Sequence, residues 1–373
     1  MHDFELLYCK DKRNNLTTQP RVTRLTSQAP SQSVAVSRSD KIIIRVGCPR
    51  PFFDTGLTTP CDCSWPEPEI IFKSQAMRPV RSLLIYFVLV FVGGALLAPW
   101  LYCLTRDLAA HHWPFFDKLA SNPFHRFVGR ALLGAALLGL WPLLRSCRML
   151  HWRDLGLKAG DRSLTGVAFG FLLGFGSLAC VALLAVSLGG RSFNPVHSNA
   201  QVMGHVLSAA LAAIIVSILE ELVFRGALFG ILRKVQSWPK ALVLSSAVYA
   251  LAHFLRKADS PVHIDWLSGL ALLPKMFQPS VTAVFTLFVA GAILALAYQR
   301  TGALFFSMGL HAGWIFWLKF YGFLTVTTPG ANPSLWGTDT LIDGWLALPI
   351  LGCVFWIVSG MKSAGERPEG QTT

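Results

Sequence analysis

Two adjacent glutamates inside an apolar stretch are the first residues with evident chemical potential. Glu220 and Glu221 follow the apolar run 206–219, and Arg225 comes four residues after Glu221. On a helix, Glu221 and Arg225 lie on one face and can form an ion pair. Glu220 points about 100° away and is not served by that pair. Glu220 is then free for general-base chemistry; the alternative is a structural pair that joins helices, with Glu220 hydrogen-bonded to a neighbour.

Two histidines lie in two further apolar stretches. Tyr249 and His253 are four residues apart and share a helix face, whereas His311 lies in the third stretch between the small residues Gly309 and Gly313. Small residues let a second helix approach closely. Each histidine taken alone is typical of a satisfied core residue, so a functional interpretation requires that they meet Glu220.

The composition indicates a membrane protein. The chain has 373 residues, of which 53% are hydrophobic and 14% charged, and its mean hydropathy is +0.49. A soluble protein is usually about 25% charged. The formal net charge of +13 comes mostly from short loops between apolar runs, which indicates membrane orientation and no nucleic-acid partner.

We therefore predict an all-α, polytopic transmembrane helix bundle with about eight spans. Basic residues are more frequent in one set of alternate loops, which places both termini in the cytoplasm. The short loops favour a prokaryotic inner membrane. The predicted spans are 82–104, 127–145, 164–189, 203–233, 240–256, 281–299, 302–320 and 341–360.

The three polar positions have similar predicted depths. Measured along each helix from the cytoplasmic side, Glu220 lies roughly 20 Å, His253 roughly 21 Å and His311 roughly 14 Å into the membrane. Ionisable residues within a membrane are costly and usually functional. The matched depths therefore predict one site formed by three segments.

Hydrolysis is the chemistry that such a site allows. A glutamate and a histidine can hold and deprotonate water, and a second histidine can stabilise an oxyanion. Glu220, His253 and His311 could instead ligate a divalent metal such as zinc, so the sequence leaves a cofactor undecided. H-E-x-x-H and G-x-S-x-G are both absent, which argues against a standard zinc protease and a serine nucleophile.

In order and spacing, these residues resemble the CPBP family, which includes type II CAAX prenyl endopeptidases and lysostaphin-resistance-protein-A-like proteins. Glu220 to Arg225 is similar to its motif E-E-x-x-x-R, and Tyr249 to His253 is similar to F-x-x-x-H with tyrosine in place of phenylalanine. The resemblance covers about residues 165–320. It implies an intramembrane endopeptidase that acts on membrane-anchored protein or peptide substrates. Prenylated CAAX substrates are implied only if the host prenylates proteins.

The resemblance also implies roles for individual residues. Glu220 and His253 activate water, Glu221 and Arg225 support them, and His311 serves the oxyanion. Tyr249 and Phe224 are expected to bind substrate or support the site. The third family motif is H-x-x-x-N/D, but the residue four after His311 is Ile315, so the expected oxyanion donor is missing.

The predicted organisation has four parts. Residues 1–76 are a disordered or misassigned extension, 77–163 hold the first spans and a cytoplasmic loop, 164–321 form the protease core, and 322–373 contain the last span and a cytoplasmic tail. The alternative function is a non-catalytic scaffold or immunity-type protein that keeps the polar site for packing. A transporter is disfavoured because the two halves show no repeat.

Overall fold

Helices form nearly all the regular structure of the described part of the chain. The computed structural model describes residues 79–111, 113–158, 160, 163–194 and 197–361. The predicted extension 1–76 and the tail from 362 onward lie outside the described residues. The helices are α1 (Pro79–Ala110), α2 (Pro114–Ala120), α3 (Phe124–Ser146), α4 (Ser163–Ser187), α5 (Asn199–Arg233), α6 (Trp238–Ala252), α7 (Ser268–Met276), α8 (Val281–Thr301), α9 (Leu304–Leu324), α10 (Pro333–Trp336) and α11 (Ala347–Ser359).

The strands in this part are short. β1 (Arg191–Phe193) and β2 (Thr325–Thr327) pair antiparallel, with Arg191 opposite Thr327. This pair ties the chain after α4 to the end of α9. The prediction of an all-α helix bundle is confirmed.

Five helices are long and apolar enough to cross a membrane: α1, α3, α4, α5 and α8. The chain is therefore an integral membrane protein. The other three predicted spans correspond to α6, α9 and α11, which are helical but do not meet the same criterion of length and hydropathy. The count of eight spans stays a prediction.

Helix α5 carries the two glutamates and changes its geometry directly after them. Ser198 and Gln201 form a capping box at its start, which satisfies backbone N–H groups that have no partner within the helix. The α-helical part continues to Glu221, and the segment Leu222–Phe229 is a π-helix. The prediction assumed a regular α-helix here. The wider π turn contains Arg225, and such turns are frequent at functional sites.

Helix α6 ends earlier than the sequence indicated. Pro239 occupies its first turn, where a missing N–H costs nothing, but the helix stops at Ala252 rather than near residue 256. His253 is the C-cap residue. Its ring is thus carried by a helix end and not by the middle of a span.

Helices α4 and α9 pack through glycines. A Cβ on Gly170 or Gly174 of α4 would overlap the backbone of Phe306 or Leu310, and one on Gly309 or Gly313 of α9 would overlap the backbone of α4. The absence of side chains lets the two backbones touch. The small residues beside His311 therefore do admit a second helix, as predicted, and that helix is α4.

We predict that Gly174→Leu destabilises the protein, because the new side chain must push α9 away from α4. The matched control is Gly176→Leu in the same helix, since a Cβ at Gly176 has nothing within 4 Å. Thermal unfolding in detergent should show a clearly lower transition for Gly174→Leu alone. Equal transitions for the two variants would contradict this packing.

Candidate active site

A buried carboxylate joins α5 to α9. Oε1 of Glu221 accepts a hydrogen bond of 2.8 Å from Nη1 of Arg225 and one of 3.0 Å from Nδ1 of His311. The side chains of Glu221, Arg225 and His311 are 0%, 2% and 4% exposed. A buried charge is tolerated only when it is paired in this way. The predicted pair of Glu221 and Arg225 is present, and His311 is a further partner.

Glu220 faces the two histidines. Its Oε2 lies 3.5 Å from Nε2 of His253 and 3.7 Å from Nε2 of His311. The Glu220 and His253 side chains are 26% and 29% exposed, so they are more accessible than Glu221. The Oε2 atom of Glu220 is itself buried and has no hydrogen-bond partner among the described residues. Three side chains from α5, the end of α6 and α9 thus converge.

The hydrogen bonds of the rings fix which nitrogens face Glu220. Nδ1 of His253 lies 2.8 Å from the carbonyl oxygen of Tyr249. Because a carbonyl oxygen can only accept, Nδ1 carries a proton and donates it. By the same reasoning Nδ1 of His311 donates to the Glu221 carboxylate. Both Nε2 atoms are therefore directed towards Glu220.

Tyr249 is held on several sides. The Arg225 guanidinium carbon lies 4.3 Å from the centre of its ring, and the Phe224 ring packs edge-on at 5.1 Å. A Cβ on Gly291 of α8 would lie 3.0 Å from Cδ1 of Tyr249. The Gly291 carbonyl also accepts from Arg225 at 3.4 Å. The Tyr249 hydroxyl is thereby fixed 3.3 Å from Nε2 of His311.

The arrangement does not favour a metal. Within the ranges that the structure describes, no group of three His, Cys, Asp or Glu side chains is arranged to hold a metal ion. In addition, Nε2 of His311 already contacts the Tyr249 hydroxyl. The predicted set of Glu220, His253 and His311 as metal ligands therefore finds no support in the geometry.

An apolar cavity of about 490 Å³ borders the site. It lies between α1, α3, α5 and α6, and Phe224 forms part of its wall. Leu251, Ala252 and Leu255, which flank His253 in sequence, also line it. The polar site thus has an apolar chamber beside it, of a size typical of ligand pockets.

Comparison with known proteins identifies the family to which this region is similar. Residues 202–317 match the family model described as type II CAAX prenyl endopeptidase Rce1-like.

Residues 202–317 are therefore similar to this family, and we call them the Rce1-like domain.

The match begins within α5 and ends within α9, so the Rce1-like domain contains all the predicted site residues. The family that it matches is a protease family. No curated protein and no solved structure matches the chain.

Sequence reasoning identified the side chains of the Rce1-like domain that converge, but not all of their partners. It did not predict that His311 binds Glu221, nor that Gly291 positions Tyr249 and Arg225. The signal for Gly291 was present in the small residues Ala290 and Ala292 around it. The catalytic roles of the converging side chains stay predictions.

The family resemblance places an oxyanion donor at position 315, and the surroundings of that position are apolar in the structure. Ile315 is 5% exposed and packs with Ala213 and Ala312. It can donate no hydrogen bond.

We predict that Arg225→Met lowers the free energy of unfolding by about 3–5 kcal/mol, because it leaves the buried Glu221 carboxylate without its cation. The double variant Glu221→Gln with Arg225→Met should lose less, since no unpaired charge remains. Equilibrium unfolding in mixed detergents measures both.

The matched control is Arg153→Met, which removes an exposed arginine and should change stability by less than about 0.5 kcal/mol. A loss for Arg225→Met no larger than that of the control would show that the ion pair does not stabilise the bundle.

Proposed function

We propose that the Rce1-like domain is an intramembrane endopeptidase that hydrolyses peptide bonds of membrane-anchored substrates, with Glu220 and His253 activating water. The observation that carries this proposal is the position of Glu220. Its Oε2 faces Nε2 of His253 and Nε2 of His311 at 3.5 and 3.7 Å. These distances are within the range seen for catalytic groups before substrate tightens them.

The proposed reaction proceeds in two steps. Glu220 takes a proton from water while the water oxygen bonds to the peptide carbonyl carbon, with the water also held by Nε2 of His253. The carbonyl oxygen becomes an oxyanion, which accepts a hydrogen bond from Nε2–H of protonated His311. The C–N bond then breaks, and the proton on Glu220 passes to the leaving nitrogen to give an amine and a carboxylic acid.

Glu221 and Arg225 support this chemistry without reacting. Oε1 of Glu221 accepts from Arg225 and from Nδ1–H of His311, and this pairing disfavours its competing for the water proton. Its Oε2 is buried without a hydrogen-bond partner among the described residues. Because the Glu221 side chain is fully buried while that of Glu220 is partly exposed, Glu220 is the more accessible of the two to a substrate. The two adjacent carboxylates therefore have different roles.

We predict that Glu220→Gln and His253→Ala each lower kcat by about 10²–10⁴-fold, because each removes a group that acts on water. The measurement is cleavage of an internally quenched peptide with a farnesylated C-terminal CAAX sequence by the purified full chain in proteoliposomes. His263→Ala, in an exposed loop outside the site, is the matched control and should retain wild-type activity.

Chelators distinguish hydrolysis by Glu220 and His253 alone from metal-dependent hydrolysis. Wild-type activity should persist in EDTA and in 1,10-phenanthroline, since the proposed steps require no metal. Activity that is lost with chelator and restored by zinc would assign Glu220, His253 and His311 to a metal instead. If the wild type cleaves no peptide, or cleaves no better than both variants, the non-catalytic scaffold is the correct alternative.

The substrate class that we propose is a lipid-modified peptide, because the apolar cavity between α1, α3, α5 and α6 reaches the residues next to His253. A lipid chain in this cavity would hold the peptide bond beside Glu220. Binding energy from such a remote group assists catalysis at the reacting centre.

Gly129→Leu tests this cavity. Gly129 lines it, and a Cβ there has nothing within 4 Å, so a leucine should fill the space without disturbing the fold. We expect a higher KM for the farnesylated peptide and no change for the unmodified one. Gly134→Leu, also open on α3 but outside the cavity lining, is the control; identical KM values for both variants would exclude the cavity as the lipid site.

A further inference from the structure

The oxyanion in the proposed reaction needs hydrogen-bond donors, and most donors near His311 are already engaged. Arg225 donates to Glu221 and to the Gly291 carbonyl. Nδ1–H of His253 donates to the Tyr249 carbonyl. In the described part of the chain, the side-chain hydroxyl that contacts Nε2 of His311 is that of Tyr249, at 3.3 Å.

Tyr249 meets the requirement for a preorganised donor. Tyr249 is 3% exposed, and its ring lies against Arg225. The close approach of Gly291 leaves the ring no space to move towards α8. A donor that is fixed before the reaction pays no reorganisation cost when charge develops. The hydroxyl is therefore held in one position before the reaction begins.

The distance between the two donor atoms suits one shared acceptor. An oxygen can lie about 2.7–3.1 Å from both Oη of Tyr249 and Nε2 of His311, as oxyanion sites require. Glu220 lies on the same side, since its Oε2 is 3.7 Å from that Nε2. A carbonyl oxygen bound by the two donors would thus have its carbon near the water that Glu220 activates.

Because Ile315 cannot donate a hydrogen bond, a second oxyanion donor must come from another helix. Ile315 lies one helical turn after His311 on the same face of α9, where a polar side chain could reach the same oxyanion. Ile315 is instead packed against Ala213 of α5. The face of α9 that carries His311 therefore supplies a single donor.

We propose that the Tyr249 hydroxyl is the second oxyanion donor of this site, and that it performs the task for which Ile315 is unsuited. The inference rests on the proposed function. In the resting protein the hydroxyl is hydrogen-bonded with Nε2 of His311. When the oxyanion forms, the hydroxyl and Nε2–H both donate to it, and no proton leaves Tyr249.

Tyr249→Phe tests the proposal, because it keeps the ring against Arg225 and removes only the hydroxyl. With the farnesylated CAAX peptide we expect kcat to fall on the order of a hundredfold, with KM within about twofold of wild type. Adding Ile315→Asn to this variant should recover at least about tenfold of the lost kcat, because the amide supplies a new donor one turn from His311.

Tyr321→Phe is the matched control. Tyr321 is a buried tyrosine, 1% exposed, in α9, and its hydroxyl has no hydrogen-bond partner among the described residues. Removing that hydroxyl should leave kcat unchanged. Thermal unfolding of all variants identifies any loss that arises from misfolding.

The failures of the two proposals are distinguishable. An inactive wild type overturns the proposed function. An active wild type with an equally active Tyr249→Phe overturns the inference alone, and a Tyr249→Phe that folds and loses activity without rescue by Ile315→Asn reduces Tyr249 to a positioning residue.

If Tyr249→Phe misfolds, 3,5-difluorotyrosine at position 249 keeps the shape and the hydroxyl. Because fluorination makes the phenol a stronger hydrogen-bond donor, kcat should then rise above that of the wild type, whereas the same replacement at Tyr321 should leave kcat unchanged. A kcat equal to that of the wild type would overturn the inference.

Discussion

A carboxylate buried among membrane helices must be paired, and the pairing of Glu221 organises this site. Its Oε1 accepts from Arg225 in the same helix and from His311 in α9. The first contact keeps the charge tolerable, and the second joins two helices and orients a ring. With Oε1 of Glu221 engaged by these two donors, Glu220 is the more exposed carboxylate and the one that faces both Nε2 atoms. The different environments of the two glutamates follow from this one constraint.

Close backbone contact makes that pairing possible. The hydrophobic effect does not drive helices together inside a bilayer, because lipid tails are as apolar as the side chains. Close packing between small residues contributes to helix association instead. Glycines in α4 and α9 allow the two backbones to touch on both sides of His311. Gly291 does the same for α8 against Tyr249, and it presents a carbonyl to Arg225. The glycines thereby position the polar groups without carrying any chemistry themselves.

The site is polar on one side and apolar on the other. Glu220 and His253 are partly exposed, whereas the neighbouring cavity behind Phe224 is almost wholly apolar in its lining. This arrangement suits a peptide attached to a lipid anchor, since the peptide bond meets polar groups and the lipid meets apolar ones. It is also consistent with the protease family that residues 202–317 match.

Local hydropathy was enough to predict the helical membrane fold, and i, i+4 spacing was enough to predict the Glu221–Arg225 pair. The similar positions of Glu220, His253 and His311 along three apolar segments predicted that these side chains meet, and the residue type at 315 showed that it has no donor. The contact of His311 with Glu221, the end of α6 before His253 and the approach of the Tyr249 hydroxyl to Nε2 became evident only in three dimensions. These features depend on how closely distant helices approach and on which atom of a ring faces its neighbour, and neither is encoded by spacing along the chain.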